Sequence, residues 1–209
     1  AIPHGKNSKT GAGNITSYDQ GTNGLVYEQV VIDLPQLDDE LLDVLPYYTS
    51  FITELGCADK SYRDMQAWQS SVSGGLSAFS TIRGGVDDVQ LTKSHFVLSG
   101  KALARNHQPF NELLQLSLEK VRFDELARIR ELMAQKRTRR EQSVTGHGHG
   151  LAMTAASSGM SPAAALSHRL SGLAGIQFIK QLDDGLDNPA AQEQLASRLK
   201  LIHEKIMAA

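Results

Sequence analysis

The chain has 209 residues, 41% hydrophobic and 21% charged, which allows one sizeable domain with its own core, or at most two small ones, and argues against disorder. Its 21 Lys and Arg against 23 Asp and Glu leave a net charge of -2, so no overall field draws it to nucleic acid or an anionic membrane. The single cysteine, Cys57, excludes an internal disulfide and a multi-cysteine zinc site and suits a reducing compartment, the cytoplasm or an organelle matrix.

Residues 1–23 are rich in Gly, Ser, Thr and Asn and poor in apolar side chains, the composition of a linker or draped tail. The opening Ala1-Ile2-Pro3-His4-Gly5 has no initiator Met and no signal-peptide core. The chain is therefore expected to be a piece excised from a larger multi-domain protein, with a single domain over residues 24–209. From Leu25 the run LVYEQVVIDL alternates, with Val26, Glu28 and Val30 on one face and Leu25, Tyr27, Gln29 and Val31 on the other. This predicts a strand, which Pro35 stops. Asp38 or Asp39 caps a buried helix over residues 39–55, where Leu41, Leu42, Leu45, Tyr48, Phe51, Ile52 and Leu55 recur at three-and-four spacing. Gly56 closes it, and Pro46 makes it irregular. Ser61 with Asp64 three residues on forms the signature of a capping box, opening a second helix that Gly74-Gly75 ends.

LSAFSTI and VQLTKSHFVLSGKAL alternate on either side of RGGVDD, which predicts a β-hairpin. After Pro109, Phe110, Leu113, Leu114, Leu116 and Leu118 form a broad apolar helix face, and Phe123-Asp124 opens a longer helix through ELARIRELMAQKRTRREQS. Ser161-Pro162 launches one helix over PAAALSHRLSGLAGIQFIKQL, and Asn188-Pro189 launches the last. One antiparallel sheet with helices packed on one face is an α+β architecture.

Candidate chemistry is sparse. His147 and His149 in TGHGHG invite a metal, but residues two apart point away from each other on a helix and no Cys or carboxylate lies close by as co-ligand. They are weak metal candidates. His168 and His203 read as surface or interhelical side chains. The basic run at Lys136, Arg137, Arg139 and Arg140 lacks interleaved aromatics for base stacking and reads as a solvated helix end, or as a face docked on another domain. There is no G-x-S-x-G elbow and no phosphate-loop motif, and Cys57 has no histidine near it in sequence. No residue is assigned a catalytic or cofactor-binding role.

TNGLVYEQVVIDL, then DDELLDVLPYYTSFITELGCADKSYRDMQAWQSSVSGGLSAFSTI, then SGKALARN, then GLAMTAASSGMSPAAALSHRLSGLAGIQFIKQL together resemble the third domain of presequence-protease-like metallopeptidases of the insulinase (pitrilysin) family. The resemblance runs over residues 22–182 and rests on the ordered set. It implies an insulinase-like domain, one of four homologous α+β domains enclosing a chamber for an unfolded peptide, with zinc held on an H-x-x-E-H helix of the first. Aligning Gly56 with the glycine after that helix puts Tyr47-Tyr48-Thr49-Ser50-Phe51 where H-x-x-E-H would stand, and no other H-x-x-E-H occurs in the chain. The resemblance thus implies a non-catalytic, chamber-forming domain of a zinc-dependent, oligopeptide-degrading metalloendopeptidase. Its partners are the other domains of the parent peptidase and the unfolded peptide substrate, with no nucleic acid and no membrane. Zinc belongs to the parent enzyme, with no cofactor in this chain. The alternative is a free-standing, catalytically dead relative acting as a binding or assembly module, followed by a metal-binding protein built on His147 and His149.

Overall fold

The computed structural model describes residues 5–10 and 13–209. Two short strands, β1 (Lys6–Thr10) and β2 (Gly13–Ser17), pair antiparallel as a hairpin with its own two-stranded sheet. This hairpin falls within the stretch read as linker; the part of that stretch at residues 1–4 and 11–12 lies outside the described residues.

The main sheet collects β3 (Leu25–Asp33), β4 (Leu76–Gly84) and β5 (Thr92–Leu103) in the order β3-β5-β4, all antiparallel. Register follows the alternation: Val30 faces Leu98, and Leu98 in turn faces Ala78, all on the inner side. A period of two then leaves Tyr27, Val31 and Phe79 on the exposed side. Phe96, Leu98 and Ala102 of the central strand are fully buried against the helices. Gly100 on β5 is demanded by close approach, because a Cβ there would stand 2.7 Å from the Phe110 ring.

Helix α1 (Asp39–Phe51) starts where expected, with the Asp38 carboxylate accepting from the Leu41 amide at 2.9 Å. It runs through Pro46 and ends four residues short of the predicted boundary. The amide of Glu54 bonds to the carbonyl of Phe51 at 2.8 Å, tightening the chain into a turn, yet Ile52 and Leu55 remain buried. Helix α2 (Tyr62–Val72) carries the complete capping box between Ser61 and Asp64. Helices α3 (His107–Glu119) and α4 (Leu126–Gly146) follow, and α1 packs against the sheet on one side and α4 on another.

Two helical expectations are corrected. A short helix, α5 (Gly148–Ser157), follows α4 directly across the segment holding His147 and His149. The helix predicted from Pro162 through Leu182 is two helices, α6 (Pro162–Ser171) and α7 (Leu173–Gly185). The break is at Gly172, whose backbone turns extended and whose missing side chain admits the His168 carbonyl and ring, both 2.8 Å from where a Cβ would be. Helix α8 (Pro189–Met207), capped by Asn188, lies along α1 and closes the core with Leu195, Leu199, Ile202 and Ile206.

Candidate functional site

The segment of α1 from Tyr47 to Phe51 lies at the centre of the molecule. Tyr47 is buried and stacks on Phe178 with ring centroids 6.3 Å apart. Tyr48 is fully buried against Phe96, and its hydroxyl lies 3.1 Å from His203 Nδ1. Burial pushes both phenols well above their ordinary range, so neither supplies a phenolate. Thr49 and Phe51 are buried too. Zinc needs imidazole, thiolate or carboxylate donors aimed at one point, and two neutral phenols, two hydroxyls and a phenyl ring do not fit it.

Ser50 faces outward from this core. Pro46 brings no N–H to the helix ladder, and its own carbonyl accepts from the hydroxyls of Ser50 at 2.7 Å and Thr49 at 3.3 Å. The Ser50 oxygen in turn accepts from the ammonium of Lys136 at 2.7 Å, across 86 positions of sequence. Desolvation, helped by Arg140 and Arg139 nearby, lowers the pKa of Lys136 below the usual lysine value. Here α1 forms one wall of a cleft of about 450 Å³, with β4 and α6 as the others, and no acidic residue lines it.

The basic run is therefore not a solvated helix end, because α4 continues past it to Gly146. Arg137 joins Arg130 in clamping the buried carboxylate of Asp183 on α7, and also reaches Asp184 and Glu141. Arg140 donates to the Ser171 carbonyl at 3.1 Å. Arg139 is exposed. Lys136 escapes a sequence search because its partner is remote; a Lys amid arginines on an amphipathic helix carries no signal by itself.

The remaining candidates are placed as follows. His147 and His149 are both exposed at the junction of α4 and α5, and among the described residues no group of three or more His, Cys, Asp or Glu is arranged to hold a metal ion. Cys57 is buried, and burial pushes its thiol up to about 12, far from a nucleophile's range. His203, read as interhelical, pairs with Tyr48 as described. No helix of the described residues is long and apolar enough to cross a membrane.

With the site's geometry in view, comparison with known proteins is decisive as to family. Residues 2–182 match the family model described as peptidase M16, subfamily C, associated. The chain belongs to that family. It is 26% identical over 197 residues to presequence protease 1, chloroplastic/mitochondrial, of Arabidopsis thaliana, covering 93% of this chain and 18% of the relative. To the mitochondrial presequence protease of Danio rerio it is 28% identical over 169 residues, covering 81% of this chain and 16% of the relative. The mitochondrial presequence protease of Candida albicans is 26% identical over 190 residues, with 88% and 18% covered. The chain thus spans less than a fifth of the length of these relatives.

Proposed function

We propose that this chain is a non-catalytic, chamber-forming domain of a zinc-dependent metalloendopeptidase that degrades unfolded oligopeptides. The observation that carries the proposal is the match to the peptidase-associated family over residues 2–182 in a chain whose α1 fills the aligned H-x-x-E-H positions with the buried side chains of Tyr47, Tyr48, Thr49 and Phe51. A buried aromatic helix supports a structural wall, and zinc then belongs to another domain of the parent. Residues 24–209 serve as one insulinase-like domain and residues 1–23 as its connecting segment, with the other domains and the peptide as partners. The relatives named above are mitochondrial or chloroplastic; an organelle matrix is the corresponding compartment in a eukaryotic source, and the cytoplasm otherwise.

The test is to obtain the surrounding reading frame and assay the longer protein on an unfolded peptide. An upstream H-x-x-E-H and chelator-sensitive cleavage by the long protein, with none by the 209-residue chain, are expected. A reading frame without that motif would overturn the proposal in favour of a free-standing, catalytically dead binding or assembly module.

A further inference from the structure

The cleft between α1, β4 and α6 holds a cation that the protein leaves uncompensated. Among the described residues no carboxylate lies within salt-bridge distance of Lys136, and its one hydrogen-bond partner is the Ser50 hydroxyl. An ammonium has three N–H donors, so two remain without an acceptor among those residues. Partly buried cations are ordinarily paired, and the neighbouring guanidiniums of Arg139 and Arg140 add positive potential. Ser50 cannot neutralise that charge, since its own proton already goes to Pro46.

The rest of the lining suits an anion attached to an apolar group. Ser80 on β4 and Ser167 and Ser171 on α6 line the same cleft, and none of their hydroxyls is used in a side-chain hydrogen bond among the described residues. Ile82, Leu166 and Leu170 supply apolar surface beside them. One compact ammonium with hydroxyl donors matches the single charge of a carboxylate; a phosphate is ordinarily gripped by an arginine fork or several backbone amides. The nearby Arg140 is already committed to the Ser171 carbonyl.

We propose that this cleft binds the C-terminal carboxylate of a peptide, with Lys136 as counter-ion, the serine hydroxyls as further donors, and the terminal apolar side chain seated against Ile82, Leu166 and Leu170. That the carboxylate belongs to a peptide rests on the chamber function proposed above; the anion site itself rests on the geometry alone. Ser50 occupies the position that the alignment gives to the glutamate of H-x-x-E-H, so a position that handles metal-bound water elsewhere in the family here helps to hold a cation for ligand charge.

The experiment is a titration of the 209-residue chain, followed by amide NMR at Ser50, Ser80, Ser167 and Ser171 and by the titration of Lys136 itself. Four probes are compared: an N-acetylated peptide ending in Leu-Leu with a free carboxylate, its C-terminal amide, an amidated peptide with an internal Glu, and inorganic phosphate. The free acid should give saturable shifts at those serines and raise the pKa of Lys136, and the amide should bind about tenfold more weakly, as loss of one charge-assisted hydrogen bond implies. Lys136→Met should abolish the shifts with an unchanged melting curve, and Lys136→Arg should restore part of them. If Lys136→Met fails to fold, the upward shift of Lys136 in the unmodified chain decides the matter. Equal binding of free acid and amide, or no saturable shift, overturns the site. Tighter binding of phosphate overturns the carboxylate, and equal binding of the Glu peptide overturns the C-terminal assignment. Free-acid binding in a protein whose full reading frame lacks peptidase activity would sink the chamber proposal while leaving this site standing.

Discussion

Tyr48 and His203 meet across 155 positions of sequence, the phenol oxygen 3.1 Å from Nδ1 of the imidazole, and their contact fastens α8 to α1 inside the core. Burial lowers the pKa of His203 below 6.5, with Glu204 opposing. The neutral ring is thus favoured in the folded chain, and the unfolded chain takes up the proton first as pH falls. The contribution of His203 is therefore intact above about pH 6.5 and is lost as the pH falls toward the lowered folded value. Chemical denaturation across that window should show stability declining with acidity, and His203→Leu should flatten that part of the slope. Tyr48→Phe should cost about 1 to 3 kcal/mol, since it strands a buried ring nitrogen. An identical slope in the His203→Leu chain would assign the decline to carboxylates instead.

The Tyr47 to Phe51 segment should behave as core and not as site. Phe51 is 2% exposed, and Phe51→Ala should cost about 3 to 5 kcal/mol. The pure chain supplied with zinc should release no fragments from an unfolded peptide. Chelator-sensitive cleavage seen by mass spectrometry would contradict the account of α1 given above.

Asp183 is 4% exposed and carries two guanidiniums, those of Arg130 and Arg137. Asp183→Ala leaves both without their shared acceptor and should cost about 3 kcal/mol, the low end for breaking a buried pair because the arginines are partly solvated. Arg137→Ala should cost less, since Arg130 still satisfies the carboxylate. Equal losses from the two variants in urea melts would show that Arg130 does not hold Asp183 alone.

Gly56 sits where the chain turns between α1 and α2. A Cβ there would meet the Lys60 carbonyl at 2.6 Å and Glu125 Oε2 at 3.0 Å. The Glu125 carboxylate accepts from the amides of Gly56 at 2.7 Å and Tyr62 at 3.2 Å, so displacing it loses two hydrogen bonds to the start of α2. Gly56→Ala should cost about 1 to 3 kcal/mol by overpacking, and a melting temperature equal to that of the unmodified chain would show that the turn can relax.

What is legible in the sequence is local. The caps at Asp38, Ser61, Ser161 and Asn188 all bond a backbone amide two or three residues away, so residue type and spacing suffice to place each of them. The alternation through Val26, Glu28 and Val30 assigns the faces of β3. Helix α5 escapes such a reading because its glycines hide any apolar period, and the break at Gly172 does so because a lone glycine in a helical pattern is usually tolerated. Lys136 with Ser50, and Tyr48 with His203, are out of reach for a different reason: each pairing exists only after distant helices pack.

The break at Gly172 also sets a difference in timescale between two neighbouring helices. Unbroken, residues 162–185 would form a rod of about 36 Å that could open only as a whole. Divided, α7 is anchored by the buried Ile179 and Asp183, whereas α6 buries no residue fully and is tied to α1 mainly by Arg169, which reaches Asp43 and Asp39 at 2.6 Å each. The amides of α6 should consequently exchange with deuterium through local opening while those of α7 wait for a much larger unfolding event. One wall of the cleft can thus loosen and reclose many times within a single lifetime of the folded core.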